Sequence, residues 1–515
     1  MPADSGLAST MLSIFDKGAF APCPAPFNMA AHVLARAPEL SDKVALSVLG
    51  PARSTDWTYG ALESAVRGTG TGLLQAGIEP GDIVLMRLGN TVDFPIAYLG
   101  AIAAGIVPVP TSSQLTEGET QKMVDDLKPA AILLDPEVAC PPHPNRITLD
   151  GLRAMRDLPP CAYAMGDPER LGYIVYTSGT SGNPRAVAHA HRAIWARQMM
   201  HDGWYALRED DRLLHAGAFN WTYTLGTGLM DPWTVGATAL IPEPGTDPAH
   251  LPLRLRHHKA SIFAAAPGVY RKFLKDDMPL NLPDLRHGLS AGEKLSPSLS
   301  AAWTSTTGCG LYEAYGMSEC STFISSSPDN PARGQALGQP QQGRKVAILG
   351  PDGPVDQGAP GTIAIHRSDP GLMLGYLNAP EETEARMQGD WFLTGDQGAM
   401  AADGQITYLG RDDDMMNAGG YRVSPLEVEA ALTGFPGIEM VGVTDVEIKQ
   451  DTRIIVAFYA GPAQIDEQAL RDFAEQKLAR YKQPRAFVYL PEMPTGANGK
   501  LLRRALKPYF ESTAS

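Results

Sequence analysis

Two periodicities alternate along this chain, and the places where one gives way to the other mark its elements. Trp57-Thr58-Tyr59-Gly60 ends a strand, and the following ALESAVRGTGTGLLQAGI has the spacing of an amphipathic helix. Its glycines, Gly68, Gly70 and Gly72, do not form a dinucleotide fingerprint, because Leu73 stands where the third glycine would be. They read as packing glycines. Asp82–Leu88 reads as a strand, Asp93–Gly105 as a helix-length apolar run, and Val107–Pro110 and Ala130–Asp135 as two more strands. Strands alternating with helices predict parallel α/β layers. Farther on, SIFAAAP (261–267) and GLSAG (288–292) read as strand ends opened by Pro or Gly. In open α/β sheets, ligands bind beyond such carboxyl ends.

From Lys345 the pattern turns to β segments. KVAILGPDGPV is closed by Asp352-Gly353, and FLTGDQGAMAADGQITYLGR forms a hairpin turning at Asp403-Gly404, with Asp396 and Arg411 at its ends. Arg411–Asp414 is a charged link. Beyond it, Ser424-Pro425-Leu426-Glu427 is a capping box that starts a helix at Pro425. Strand VGVTDVEI, strand IIVAFYA, helix DEQALRDFAEQKLARY and strand AFVYL complete an α+β unit of about a hundred residues. The division predicted is 1–411 and 412–515: a large N-terminal α/β domain with layered sheets and a β-rich subdomain, then a small C-terminal α+β domain.

One stretch stands apart from this periodicity. In YIVYTSGTSGNPRAV (173–187) a buried strand breaks into Thr177, Ser178, Gly179, Thr180, Ser181 and Gly182, with no side chain larger than Thr. Such a loop brings backbone N–H groups and hydroxyls against one anion. Arg185 adds a cation, and a helix is predicted from about His191 (HRAIWARQMM). Strand, loop, cation and helix together suggest a polyphosphate cradle. It is not a Walker A loop, since no Gly-Lys-Ser/Thr closes it.

Composition narrows the partners. The 515 residues carry a net charge of −14, which argues against a nucleic-acid partner. Five cysteines with no CxxC pair fit a reducing cytoplasm and no zinc site. No basic-then-apolar start marks a signal peptide, and the most apolar window, Phe94–Val107, is too short to span a bilayer. A cytoplasmic protein with no membrane anchor is expected. The segment Leu213–Gly236 is rich in aromatics and poor in charge. His215, Phe219, Asn220, Trp221 and Tyr223, with Met317 and Phe323, suggest an apolar pocket without a counter-charge for a second carboxylate.

Five motifs, YTSGTSGNPRAV, YEAYGMSE, WFLTGD, YLGRDDDMMNAGGYRVSPLEVE and PTGANGKLLR, occur in an order that resembles the adenylate-forming superfamily. That superfamily holds acyl- and aryl-CoA synthetases, luciferases and the adenylation domains of peptide synthetases. The resemblance runs from about residue 55 to about residue 510. PIAYLGAIAAGIVPVP and SAGEKLSP look most like the benzoate-type and medium-chain acid ligases. It implies an ATP-dependent ligase that converts a carboxylic acid to an acyl-adenylate and then to a coenzyme A thioester. It also implies roles. Thr177–Gly182 and Arg185 would hold phosphates, Glu319 would hold Mg²⁺, and Ser318 would contact phosphate. Tyr315 would stack on adenine, with Glu313, Ala314, Gly316 and the Ala291, Gly292 and Glu293 backbone nearby. Asp396 and Arg411 would bind ribose. Lys500, on a mobile C-terminal domain hinged at Asp413, would be the catalytic cation of the first half-reaction, and Gly419, Gly420 and Arg422 would line the CoA tunnel. The substrate expected is an aromatic or medium-chain monocarboxylate, and a homodimer is common in the resembled group.

Two positions depart from the family pattern. Arg185-Ala186 stands where Lys-Gly is usual, and Asn417 where many members have Lys. Arg forks its charge, so the first exchange is not neutral. Two alternatives stay open: adenylation for a different acceptor, such as a carrier-protein thiol, and a non-catalytic binding homologue supported only by Arg185-Ala186.

Overall fold

The computed structural model describes residues 11–50, 53–177, 185–274, 280–418, 421–449, 452–478, 480–496 and 501–513. The predicted strands form, and most of them join one sheet of sixteen. Its first half is parallel: Val44–Leu49, Thr238–Pro242, Arg212–His215, Ile262–Ala265, His287–Ala291 and Gly310–Met317 lie side by side. Its second half is antiparallel and runs from Ser321–Ser325 through Ala336–Pro340, Ile406–Arg411, Trp391–Met400 and Pro360–His366 to Lys345–Gly350. Direction changes at the hairpin between Gly310–Met317 and Ser321–Ser325. The N-terminal strand Ile14–Asp16, not foreseen from periodicity, caps this half by pairing with Lys345–Gly350.

A second sheet of four parallel strands (Val107–Pro110, Ile83–Arg87, Ala131–Leu134, Arg146–Thr148) holds the predicted α/β layer. Helix Asp93–Ala103 is buried at every residue, as an element apolar all round must be. It packs against helix Tyr59–Gln75 almost backbone to backbone. A Cβ at Gly70 would lie 3.0 Å from the Gly100 carbonyl oxygen, and one at Gly68 or Gly72 would strike Arg156 or Met155. The packing role read from the sequence is what these glycines fill.

The 173–187 stretch differs from the expectation. Leu171–Thr177 is a strand, but Arg185–Ala190 is a second strand antiparallel to it, with Thr177 opposite Arg185. From Arg185 the chain therefore runs back along Leu171–Thr177 before the helix expected from about His191. The run from His191 yields only a short helix, Ala193–Ala196, and then a π-helical turn, His201–Tyr205. Tertiary pairing explains this: Val187 and Ala188 also bond the strand Gly375–Tyr376, so the segment sits mid-sheet and its apolar run is drawn into strand.

The C-terminal part has its own core, built from Met416 onward: Val423, Val428, Leu432, Val443, Ile455 and Leu470 are buried. Ser424 Oγ accepts from Glu427 N and caps helix Pro425–Leu432 as predicted, although the Glu427 carboxylate turns to Lys482. Strands Met440–Lys449, Thr452–Ala460 and Ala486–Tyr489 form its sheet. Among the described residues, no helix is long and apolar enough to cross a membrane.

Candidate active site

The reversal of strand direction at residues 317–321 opens a crevice beyond the carboxyl ends of the parallel strands, which is where such sheets bind ligands. Three clusters meet there.

The first is set by the hairpin Trp391–Met400/Ile406–Arg411, whose register puts Asp396 directly opposite Arg411. Two tyrosines converge on the Asp396 carboxylate. The Tyr315 hydroxyl donates to Oδ2, and the Tyr408 hydroxyl lies 3.5 Å from Oδ1. Their rings face each other at 5.6 Å, and Phe323 packs edge-on against Tyr315. Burial, and then the Asp396 charge, push the Tyr315 phenol well above its ordinary pKa, so it stays a donor. Ala314 lies in the same strand, buried. Glu313 points elsewhere: it accepts from Lys294 and, at 2.7 Å, from the Leu295 amide. Burial raises its pKa despite Lys294.

The second cluster surrounds Glu319 in the turn after Gly310–Met317. Its Oε1 accepts from the Tyr376 hydroxyl at 2.7 Å, and Oε2 has no hydrogen-bond partner among the described residues. The Tyr376 phenol is pushed up to about 12, first by burial and then by Glu319. Arg185 lies over the Tyr376 ring at 5.0 Å and pairs with Glu382 at 2.8 Å. The guanidinium that replaces the usual lysine is thus tied to the Glu319 support. Among the described residues no three His, Cys, Asp or Glu side chains cluster to hold a metal. One carboxylate with an open oxygen does fit a hydrated Mg²⁺ that takes its other ligands from phosphates. The Ser318 carbonyl accepts from His189 Nε2 at 2.7 Å, and burial holds His189 neutral, with its pKa lowered to about 4.

The third cluster is a cavity of about 240 Å³. Trp221, Tyr223 and Met317, all expected there, line it with Tyr98, Tyr173, Ile194, Met230, Ala291, Gly292, Gly316 and Ser318. Trp221 and Tyr223 meet edge-on at 5.0 Å. His215, Phe219 and Asn220 are not among the lining residues. His215 packs behind Tyr223, accepts from the Gly217 amide, and is held near pKa 3 by burial. Phe219 is core, and Asn220 reaches Ser113 Oγ at 3.3 Å. The expected apolar wall is interrupted by Arg197, which lines the cavity and pairs with Asp231. It sits in the run that the sequence presented as an ordinary helix, where one arginine among apolar residues carries no sign of burial. Tyr376, His189 and Asp231 were likewise invisible as site residues.

Other expected residues are placed only in part. Ser178, Gly179, Thr180, Ser181, Gly182, Gly419, Gly420 and Lys500 lie outside the described residues. Among the described residues nearby, Thr495 and Leu501 form a bridge, and the Leu502 amide donates to the Pro494 carbonyl at 2.8 Å. Arg503 just beyond is clamped bidentately by Glu429, at 2.7 and 2.9 Å. Asp413 lies in the 3₁₀ turn Asp412–Asp414, and Arg422 in the strand Tyr421–Val423. Glu293 lies 3.8 Å from Arg271.

Known proteins share this sequence pattern and this fold. A family model of AMP-binding enzymes matches residues 34–377, and one of the AMP-binding enzyme C-terminal domain matches 427–500. The 3-hydroxybenzoate–CoA ligase of Aromatoleum sp. (strain CIB) is 29% identical over 495 residues, covering 90% of this chain and 94% of that protein. The 4-hydroxybenzoate–CoA/benzoate–CoA ligase of Rhodopseudomonas palustris is 30% identical over 501 residues, covering 90% of each. Among solved structures, an anthranilate CoA ligase in complex with anthranoyl-AMP superposes with a TM-score of 0.84 at 25% identity, over 95% of this chain and 99% of that one. A benzoate CoA ligase from Burkholderia xenovorans gives 0.82 at 26%, over 93% and 100%.

Proposed function

This chain belongs to the AMP-binding enzyme family, and on that premise we propose that it is an ATP-dependent acid–thiol ligase. It couples a compact aromatic monocarboxylate to coenzyme A and releases AMP and pyrophosphate. The observation that carries the reading is the stretch Tyr315–Glu319. Its five residues touch the Asp396 cluster, line the aromatic cavity and supply the Glu319 carboxylate. A nucleotide and an acid held on the two sides of this stretch have their reacting groups brought together.

The chemistry follows from placement. A carboxylate is a poor electrophile, so it first attacks the α-phosphorus of ATP. Asp396 presents two oxygens to the ribose hydroxyls, with Arg411 opposite, and the Tyr315 ring faces adenine. The loop Thr177–Gly182 holds the outgoing phosphates. Glu319 would hold Mg²⁺, which when bound would neutralise phosphate charge. Tyr376 fixes the orientation of that carboxylate. Lys500 stabilises the charge moving between carboxylate and phosphate oxygens. The boundary near 411/412 and the hinge at Asp413 let the C-terminal part withdraw this lysine and present Gly419, Gly420 and Arg422 to CoA. The separate C-terminal core supports that division. A cavity of this size suits a small acid, and the Tyr98, Tyr173, Trp221 and Tyr223 rings that line it favour an aromatic one. The five free cysteines accord with a cytoplasmic setting, and a homodimer is part of the same proposal.

AMP formation from a panel of acids, with and without CoA, tests the reading. CoA-dependent AMP release with a benzoate-type acid is expected. Pyrophosphate release that CoA never accelerates would move the assignment to another acceptor, and no release from any acid would end it.

A further inference from the structure

Arg197 is the one charged side chain among the described residues that line the cavity, as His189 is neutral. Its pairing is specific. Nε and Nη2 clamp Asp231 at 2.9 and 2.6 Å, and Tyr205 donates to the same carboxylate at 2.8 Å. Nη2 also lies 3.3 to 3.4 Å from Tyr205 and Thr227 hydroxyls. Nη1 carries two hydrogens and donates one of them, to Ser321 Oγ. One guanidinium N–H is left without an acceptor among the described residues, in a wall otherwise mostly aromatic and aliphatic. Ser321 holds a left-handed backbone, φ 61°, rare for a residue with a side chain, and its hydroxyl, already accepting from Arg197, keeps its own hydrogen to donate. Gly226, also in the wall, makes room for this corner: a Cβ there would lie 2.4 Å from Nη2.

Burying a guanidinium is costly, and Asp231 offsets that cost. The ion pair is therefore complete in charge but not in hydrogen bonds. An unsatisfied donor in a desolvated wall favours a ligand that brings an acceptor. A second carboxylate would set two anions around one cation, whereas a neutral oxygen would not.

We propose that Arg197, with Ser321, is a specificity-determining residue of the acid pocket and selects aromatic monocarboxylates bearing a neutral, hydrogen-bond-accepting ring substituent such as a hydroxyl or methoxy group. This rests on the ligase reading above. Sites built to bond a polar substituent discriminate strongly against its absence, because their own polar groups are then left unpaired.

The test measures kcat/KM for CoA-dependent AMP formation with benzoate, its monohydroxy and monomethoxy derivatives at each ring position, and isophthalate. The wild-type enzyme should prefer at least one substituted acid over benzoate by about tenfold or more and disfavour isophthalate. The double variant Arg197→Met/Asp231→Asn removes both charges and leaves no buried ion unpaired. In it the preference should shrink to within about threefold, a ratio independent of how much of the variant folds. If too little of that variant folds to assay, Gly226→Ala, which crowds the guanidinium, should lower the same ratio. Benzoate used as well as every derivative, isophthalate used best, or a preference unchanged in these variants would overturn the proposal. Turnover with the wrong preference defeats this inference alone, whereas no turnover with any acid defeats the ligase reading as well.

Discussion

The proposed nucleotide side and acid cavity share the Tyr315–Glu319 stretch, yet they are built in opposite ways. The proposed nucleotide side rests on a few compact motifs, distant from one another in sequence. Asp396 and Arg411 belong to one hairpin, and Tyr315 and Glu319 to one strand and its turn. The cavity is dispersed: Tyr98, Tyr173, Arg197, Trp221, Ala291 and Ser321 come from six separate stretches. Contacts to an invariant ligand such as ATP can be set by a few short motifs. A pocket for a variable acid is a surface left between packed elements, and substitution in any of them reshapes it.

Three experiments sharpen or break this contrast. The largest effect is expected from Lys500→Ala, which should lower adenylate formation by about 10³-fold. Acid binding, followed by tryptophan quenching at the cavity that Trp221 lines, should be unchanged. Undiminished adenylation would remove the C-terminal lysine from the mechanism. Next, Asp396→Ala should raise the KM for ATP by about 10²-fold, through the loss of two charge-assisted bonds. The KM for the acid should stay within about threefold. It should also cost about 1 kcal/mol of stability, since the half-buried Tyr315 and Tyr408 hydroxyls lose their acceptor. If both KM values rise together, the two sides are not separable.

The smallest effect concerns pH. His189 at the cavity wall and His215 behind it are held neutral by burial, with pKa values of about 4 and 3. An unfolded histidine titrates near 6.5, so the unfolded state binds more protons below that pH. Stability from these groups is complete above pH ~6.5 and falls as pH drops toward 4, by at most about 1.4 kcal/mol per pH unit for each. Thermal denaturation between pH 7 and 4.5 should show a shallower loss in His189→Gln than in wild type. An equal slope would mean that His189 does not carry its share of the acid sensitivity.

Much of this was legible beforehand. The parallel layer, the Asp403-Gly404 hairpin and the Ser424 cap depend on residue periodicity and turn chemistry, and these act within a few residues. Arg185–Ala190 was not foreseen as a strand: besides Leu171–Thr177 it pairs with Gly375–Tyr376, nearly two hundred residues away.

The amino-acid order by itself determined most of the elements, the presence of a large and a small part, and the motifs proposed to touch the nucleotide, because those properties rest on short-range patterns. Only the tertiary structure decided that Arg197 is buried against Asp231 in the cavity wall, that Tyr376 supports Glu319, and that His215 stands behind the pocket. Burial and the pairing of distant charges depend on how separate segments pack, and no local pattern encodes that.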